Sequence, residues 1–430
     1  MDLLPIGTDA APWAWLALCL AGVVAVLAVV LWSVKRHRDP RLSLQCDQPV
    51  ETLLPSLAGL THGTLLAGNA VTLYENGAFF EALFAAMAEA RHTLHFETFL
   101  WKPGRLSQRT VQALTERARA GVTVRVLVDA QGAKLMHADE RRQLQAAGCK
   151  VVRYHARRLR NLGVLNRRDH RKIAVVDGTV AFVGGHCIVD EWLGDGQDRH
   201  HYRDLGLRLT GPAVHGVQSA FGENWVAETG ELFPGPGSFP DLPPVGDVAV
   251  HVARAKPERA APAVKILHHL MLCLAKRRLW IQNPYFLPQE AAIAAFAVAV
   301  ARGVDVRVMV PSAEVSDMPL VQHAAHHGFE RLLKAGVRLF EYRRTLLHQK
   351  VLTVDGLWSG IGSSNFDDRS FEINDEITLG LHDPAVARQL EAIFERDMQE
   401  CHEWTLADWQ RRRGWQRLRD RACYQLKEQL

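Results

Sequence analysis

Two copies of one short pattern constrain the fold of this chain more than any other feature of its sequence. Each copy reads H-x-K, then a strand-like run of four residues, then Asp-Gly. Its members are His170, Lys172 and Asp177 in the first copy, and His348, Lys350 and Asp355 in the second. The two histidines are 178 positions apart, and the runs VTVRVLV and VDVRVMV, at residues 122–128 and 304–310, are 182 positions apart. Because separate features repeat at nearly one spacing, the sequence predicts two copies of one domain.

Helix-like and strand-like segments alternate along both copies. This alternation is typical of crossover units on a mainly parallel or mixed sheet, so we expect an α/β fold. Between the copies, five prolines and three glycines fall within residues 234–246, which neither a helix nor a central strand tolerates. The predicted parts are an N-terminal segment at 1–45, a first α/β domain at 46–229, a linker at 230–247, a second α/β domain at 248–400 and a basic amphipathic tail at 401–430.

Within each repeated pattern, the local geometry predicts different positions for the histidine and lysine than for the aspartate. In a strand, residues i and i+2 point to the same face, so the His and Lys of each copy project together. Asp-Gly is a strong signal for a tight turn. Asp177 and Asp355 therefore have two open interpretations, a catalytic role or the setting of a turn.

The N-terminal segment contains 25 consecutive residues without charge, at positions 10–34. That length is sufficient for a helix to cross a ~30 Å hydrocarbon core. Trp13, Trp15 and Trp32 lie near its ends, and basic residues follow it but do not precede it. By the positive-inside rule the sequence predicts a single-pass membrane anchor with the remaining chain in the cytoplasm. The alternative is a buried helix of a soluble protein.

Composition excludes several classes of protein and of site. A net charge of +4 gives no support for nucleic-acid binding, and seven cysteines without a C-x-x-C pair favour neither disulfides nor structural zinc. His323, His326 and His327 share one predicted helix face, but the sequence names no carboxylate partner for a metal there. We therefore predict no metal and no cofactor.

Two histidines and two lysines that meet between the copies suit phosphoryl transfer. One neutral imidazole acts as nucleophile and the other, protonated, as general acid to the leaving oxygen. The two ammonium groups stabilise the charge of the phosphoryl oxygens, a task that a metal ion performs in other enzymes. A single copy lacks the second histidine, which explains the duplication.

Further motifs resemble the bacterial cardiolipin synthases of the phospholipase D superfamily. The resemblance runs from about residue 66 to 400. The motifs are LYENGAFFEAL (73–83), HFETFLW (95–101), NRRDHRK (166–172), VGGHCIVDEW (183–192), NPYFLP (283–288), GSSNFDDRS (362–370) and NDEI (374–377).

The resemblance implies two phospholipase D-like domains with one shared active site and a phosphohistidine-type intermediate. It implies catalytic roles for His170, Lys172, Asp177, His348, Lys350 and Asp355, with His170 favoured as nucleophile. It also implies substrate-binding roles for Asn365, Arg168 and Glu97. The chain departs from the family at Cys187, where the pattern has a second Asn.

From this resemblance we expect an enzyme that condenses two phosphatidylglycerol molecules to cardiolipin and glycerol at the bacterial inner membrane. Its expected partners are anionic phospholipids and the membrane. The alternatives are hydrolysis by a phospholipase D, a synthase that uses phosphatidylethanolamine as donor, and a phosphodiesterase or nuclease. The basic residues between 153 and 171 are an expected gathering site for anionic headgroups. The oligomeric state is not predicted.

Overall fold

The computed structural model describes residues 11–34, 48, 50–156, 166–257 and 262–425. It divides into two compact units, Met1–Arg41 and Leu42–Leu430. The first unit contributes helix α1 (Ala11–Val34). Within the part of the chain that the structure describes, no helix is both long and apolar enough to cross a membrane. The spanning anchor predicted at residues 10–34 is therefore not confirmed, and the basic flank that follows it lies outside the described residues.

Fifteen strands and eleven α-helices are the main elements of the described part of the second unit. The strands are β1 (Thr64–Glu75), β2 (Thr93–Thr98), β3 (Thr123–Asp129), β4 (Lys150–Tyr154), β5 (Ile173–Val176), β6 (Val180–Gly184), β7 (Leu205–Thr210), β8 (Val248–Ala255), β9 (Arg278–Gln282), β10 (Asp305–Pro311), β11 (Arg338–Tyr342), β12 (Val351–Val354), β13 (Trp358–Gly362), β14 (Glu376–His382) and β15 (Cys401–Trp404). The helices are α2 (Val50–Leu60), α3 (Ala78–Ala88), α4 (Arg105–Arg119), α5 (Ala138–Ala146), α6 (Val214–Thr229), α7 (Ala263–Leu274), α8 (Glu290–Ala301), α9 (Pro319–Lys334), α10 (Pro384–Met398), α11 (Leu406–Gln410) and α12 (Gly414–Gln425).

All these strands belong to one mixed sheet with a nearly symmetric order. That order is β15-β11-β10-β9-β12-β13-β14-β8-β1-β7-β6-β5-β2-β3-β4, with the antiparallel pair β8–β1 at its centre. In each half the first three strands after the central one are mutually parallel, β2–β3–β4 in one and β9–β10–β11 in the other. The following three, β5–β7 and β12–β14, run antiparallel. The predicted α/β architecture of two similar halves is confirmed.

A shared apolar core brings the two H-x-K patterns toward each other. It contains Val175 of β5 and Val183 of β6 from the first half, with Val351 of β12 and Ile361 of β13 from the second, all buried. The two strands that begin just after the H-x-K patterns, β5 and β12, therefore contribute to one cluster. Burial of this apolar surface is the force that joins the halves.

The segments outside the two halves are also defined. Between α6 and β8, where the linker is predicted, the chain forms neither helix nor strand. The C-terminal tail starts as β15, which pairs with β11, and continues into α12. The ring of Tyr424 in α12 packs at a tilt against that of His327 in α9, with ring centroids 4.3 Å apart. Trp415 and Leu418, on the other side of α12, are exposed.

Candidate active site

A cavity of about 320 Å³ lies where the two halves meet, and both halves line it. Its cationic and polar lining includes His170, Lys172 and Arg168 from the first half, and His348, Asn365 and Arg369 from the second. The apolar lining includes Phe99, Leu100, Leu287, Met318 and Val321. The structure places His170 and His348 at one cavity, as the sequence predicts.

His170 is held by a carboxylate of the opposite half. Its Nδ1 lies 2.9 Å from Oε1 and 3.1 Å from Oε2 of Glu376, the first residue of β14. Because a carboxylate accepts, Nδ1 donates, and the lone pair of the neutral ring is then on Nε2. Burial lowers the pKa of His170 to about 4, so its neutral, nucleophilic form predominates at pH 7. The ring of Phe99 packs edge-on against the imidazole at 5.0 Å.

His348 has the corresponding arrangement with the first half. Its Nδ1 donates to Oδ2 of Asp204 at 2.7 Å, and the same oxygen accepts from Trp192 Nε1 at 2.7 Å. Burial, with the positive charge of Lys350, lowers the pKa of His348 to about 3. Although burial acts in the opposite direction, His186, His348 and Lys350 lower the pKa of Asp204. The carboxylate is therefore charged at any physiological pH.

The two halves thus exchange their orienting carboxylates. Glu376 of the second half holds His170, and Asp204 of the first half holds His348. Backbone contacts fix the exchange: His170 N donates to Asp375 O at 3.0 Å, and His348 N donates to Arg203 O at 2.7 Å. Sequence reasoning missed both carboxylates as site residues. Glu376 lies within the NDEI motif, but nothing in the linear pattern connects it to the histidine of the other copy.

The two lysines lie beside the histidines that precede them. Lys172 Nζ donates to the carbonyl oxygen of His170 at 2.5 Å. Lys350 Nζ donates to the carbonyl oxygen of His348 at 2.6 Å and lies 3.0 Å from both of its ring nitrogens. Burial, supported by the Lys172 charge and opposed by Asp204, lowers the pKa of Lys350 to about 7. Close to neutral pH this ammonium is poised between charged and neutral forms.

The structure does not bring Asp177 and Asp355 to the cavity. Each lies at the far end of its four-residue strand and has positive φ, +50° and +56°. The following glycines are also at positive φ, which is the backbone of a type I′ hairpin turn. The Asp177 carboxylate accepts from the backbone amides of Arg91, His92 and Thr93 at 2.7–2.8 Å. This geometry favours the turn-setting interpretation.

Asp355 repeats that arrangement in the second half. It accepts from the backbone amides of Lys276, Arg277 and Arg278 at 2.7–2.9 Å. Both carboxylates therefore fix the start of a neighbouring strand, β2 and β9 respectively, against the turn that carries them.

The predicted substrate-binding residues fall into two groups. Asn365 and Arg168 line the cavity, and the Oδ1 of Asn365 has no hydrogen-bond partner among the described residues. Cys187, 17 positions after His170 as Asn365 is 17 after His348, is buried and lines the same cavity. Glu97 is buried and accepts a hydrogen bond from Asn224 Nδ2 at 2.8 Å. It is absent from the described residues that line this cavity.

Comparison with known proteins gives consistent results over most of the chain. Residues 83–190 and 270–398 match a family described as cardiolipin synthase, phospholipase D-like domain. Cardiolipin synthase A of Pseudomonas putida is 38% identical over 345 residues, which cover 80% of this chain and 71% of that protein. Cardiolipin synthase A of Pseudomonas aeruginosa is 37% identical over 364 residues, which cover 83% and 72%. Each matched family segment contains one H-x-K pattern.

Solved structures with the same fold include two other enzymes. A phosphatidylserine synthase from Haemophilus influenzae Rd KW20 has a TM-score of 0.68 and 13% identity, and covers 87% of this chain and 99% of that one. A polyphosphate kinase from Porphyromonas gingivalis has a TM-score of 0.53 and 13% identity, and covers 86% of this chain and 53% of that one. At these identities the likeness concerns the fold.

Proposed function

Because the chain belongs to the cardiolipin synthases of the phospholipase D superfamily, we propose that its two histidines transfer a phosphatidyl group from one lipid in the cavity to another. Membership of this family makes the chain a phospholipid phosphatidyltransferase. One observation carries the proposal. The Nδ1 of each histidine is occupied by a carboxylate of the other half, which directs each Nε2 to the chemistry; at His348, Lys350 Nζ lies 3.0 Å from that Nε2.

In the first step, Nε2 of His170 attacks the phosphorus of a phosphatidylglycerol. A P–N bond forms, and the P–O bond to the headgroup glycerol breaks. The leaving glycerol oxygen takes a proton from the His348 imidazolium. The anionic phosphodiester beside His348 favours this protonated form, and Asp204 stabilises it through Nδ1.

In the second step, neutral His348 removes a proton from the headgroup hydroxyl of a second phosphatidylglycerol. The resulting oxygen attacks the phosphorus, the P–N bond to His170 breaks, and cardiolipin is released. Lys172 and Lys350 stabilise the phosphoryl oxygens in both steps. Neither of these two reaction steps needs a metal ion to move a proton or an electron pair.

The walls of the cavity support an anionic lipid as substrate. Its lining combines Arg168 and Arg369 with the apolar side chains of Met318, Val321 and Leu287, and it also includes the carboxyl groups of Asp317, Asp367 and Asp368. Guanidinium groups bind phosphate oxygens bidentately, while the apolar side chains suit the glycerol backbone and the first acyl carbons. We assign Asn365 and the two arginines to the phosphates of donor and acceptor.

The same intermediate also allows a different outcome if water replaces the second lipid. The test is therefore product analysis of the purified protein with phosphatidylglycerol labelled in its acyl chains, alone and mixed with unlabelled phosphatidylethanolamine. Labelled cardiolipin and free glycerol support the proposal. Phosphatidic acid as the sole product would contradict it, and ethanolamine release would identify the second donor.

Two variants test the division of labour between the histidines. We expect His170→Ala and His348→Ala each to abolish product formation, whereas the control His92→Ala, at an exposed position outside the cavity, retains activity. Rapid quenching with phosphate-labelled substrate is expected to place the label on His170. Label on His348 would reverse the assignment, and near-normal turnover of either alanine variant would refute the shared site.

We further propose that α1 keeps the enzyme at the inner membrane as a single-pass anchor. The support is the run of 25 uncharged residues and the exposure of apolar side chains along the described part of the helix, such as Trp13, Leu18 and Val26. Apolar side chains in such number need a covering medium. Alkaline carbonate extraction tests this: the full chain is expected to stay with the membrane pellet, and its release would contradict an anchor.

A further inference from the structure

A cluster of buried histidines and carboxylates lies between α9, β11 and α12, outside the cavity. His323 and His326 are one turn apart on α9, Asp420 is on α12 and Glu341 is on β11. Asp420, Glu341 and His326 are 1%, 5% and 8% exposed. The sequence named no carboxylate for the histidines of α9, because the two that the fold supplies come from other elements.

The donor atoms in this cluster converge on one point. Ligand atoms of His323, His326 and Asp420 lie within 4.8 Å of one another. His323 Nδ1 is 3.5 Å from Asp420 Oδ1, and His326 Nδ1 is 3.9 Å from Asp420 Oδ2. Two ligands on a tetrahedral zinc, at bonds of about 2.0–2.1 Å, are about 3.4 Å apart. The observed separations are thus close to those of a coordination edge.

The imidazoles are in a state suited to ligation. Three ring nitrogens have no hydrogen-bond partner among the described residues: Nδ1 of His323 and both nitrogens of His326. Buried polar atoms without such partners are rare in native proteins.

We propose that His323, His326 and Asp420 bind a divalent transition-metal ion, with zinc as the best match for two imidazoles and one carboxylate. His326 binds through Nδ1, and its Nε2, 3.5 Å from Glu341 Oε1, is oriented by that carboxylate as in other histidine sites. The ion ties α12 to α9. Val321, on the first turn of the same helix, lines the active-site cavity.

The competing arrangement is an ion-pair network without metal. Arg412 Nη2 contacts Asp420 Oδ2, and Arg419 Nη2 lies 3.5 Å from Oδ1. These guanidinium groups neutralise the carboxylate by themselves and oppose a dication. The two arrangements differ in a measurable way, because the network needs only Asp420 and the arginines, whereas a metal site also needs the imidazole of His326.

The experiment uses the full chain, purified in detergent and stripped with EDTA, then titrated with Zn²⁺ against a chromogenic chelator. We expect one zinc per chain and a higher midpoint of thermal unfolding with zinc. Glu341→Gln is expected to weaken zinc binding by about 10–100-fold. His326→Ala and Asp420→Asn are expected to abolish it, while His327→Ala, one residue along the helix and packed against Tyr424, keeps it.

The absorption spectrum of bound Co²⁺ tests the site without a measurement of thermal stability. Co²⁺ bound to the wild-type chain is expected to show the intense visible bands of a tetrahedral site, and these are absent from the Asp420→Asn variant. Asp420→Asn preserves side-chain shape, so it serves if His326→Ala fails to fold. Equal zinc binding by wild type and Asp420→Asn, or none by wild type at micromolar zinc, overturns the proposal and leaves the ion-pair network. Neither result bears on transfer at His170.

Discussion

At the scale of single residues, Asp204 and Glu376 determine which nitrogen of each histidine is available. Both are buried, and each reaches Nδ1 from the opposite half at 2.7–2.9 Å. An imidazole without such a partner can change tautomer or rotate, and either event removes Nε2 from the reaction. The contact also stabilises the imidazolium that forms at His348 when it takes a proton.

We therefore predict that Asp204→Asn lowers kcat by about 10²–10⁴-fold, the range for a lost general acid–base function, with little change in KM. Glu376→Gln is the matched variant on the other histidine. Its expected effect is on formation of the phosphohistidine, measured in a single turnover. Wild-type kcat in either variant, with a normal circular dichroism spectrum, would contradict the positioning role.

The pKa of Lys350 predicts a dependence of the rate on pH. This ammonium faces His348, Asp204, Lys172, Cys187 and Glu376, and its pKa is lowered to about 7. Above that pH it loses the charge that stabilises the phosphoryl oxygens, so kcat/KM is expected to fall as pH rises through about 7. Lys350→Arg keeps its charge and is expected to move the decline to higher pH. A profile that is flat to pH 9 in the wild type would refute this assignment.

At the scale of elements, the tight turns after β5 and β12 connect neighbouring strands through Asp177 and Asp355. Each carboxylate accepts three backbone amides. Asn tolerates positive φ but places an amide donor against one of these N–H groups. We expect Asp177→Asn and Asp355→Asn each to lower the free energy of unfolding by about 1–3 kcal/mol.

The measurement is chemical unfolding together with turnover of the folded protein. Turnover per folded molecule is expected to stay near wild type, because neither aspartate reaches the cavity. Asp241→Asn, at an exposed position in the linker, is the control and should change neither quantity. A variant of full stability without turnover would restore the catalytic interpretation of these aspartates.

These elements also show what local sequence does and does not determine. The Asp-Gly turns and the H-x-K patterns are predictable because their geometry depends on adjacent residues and on the two-residue period of a strand. Glu376 and Asp204 are not, because their partners are 206 and 144 positions away and depend on how the halves pack. Asp420 was missed for the same reason, because its partners His323 and His326 are about a hundred positions away on α9 and meet it only in the folded chain.

At the scale of the whole molecule, the active site and the proposed membrane anchor belong to separate parts of the chain. The active site lies within the unit Leu42–Leu430, while α1 lies in the other unit. We predict that a truncated protein beginning at Gln45 folds and turns over phosphatidylglycerol dispersed in detergent. Complete inactivity of a folded truncation would mean that the N-terminal segment shapes the site.

The truncated protein is expected to retain part of its attraction to anionic bilayers. Arg168 of the basic stretch lines the cavity, and α12 exposes Trp415 and Leu418; residues 157–165 of that stretch lie outside the described residues. If the attraction is electrostatic, it weakens as the Debye length falls from ~10 Å at 0.1 M salt to ~3 Å at 1 M. Liposome flotation across a salt series measures this, and salt-insensitive flotation would assign it to apolar insertion.

The exchange of carboxylates between the halves has a consequence for synthesis of the protein on the ribosome. His170, Lys172 and a complete first half exist long before residue 376 is translated, yet the imidazole of His170 then has no carboxylate to orient it. A nascent chain, or a fragment cut within residues 230–247, therefore carries no competent nucleophile and no acid. Transfer at His170 is thus expected to begin only after the second half has been made and has packed against the first.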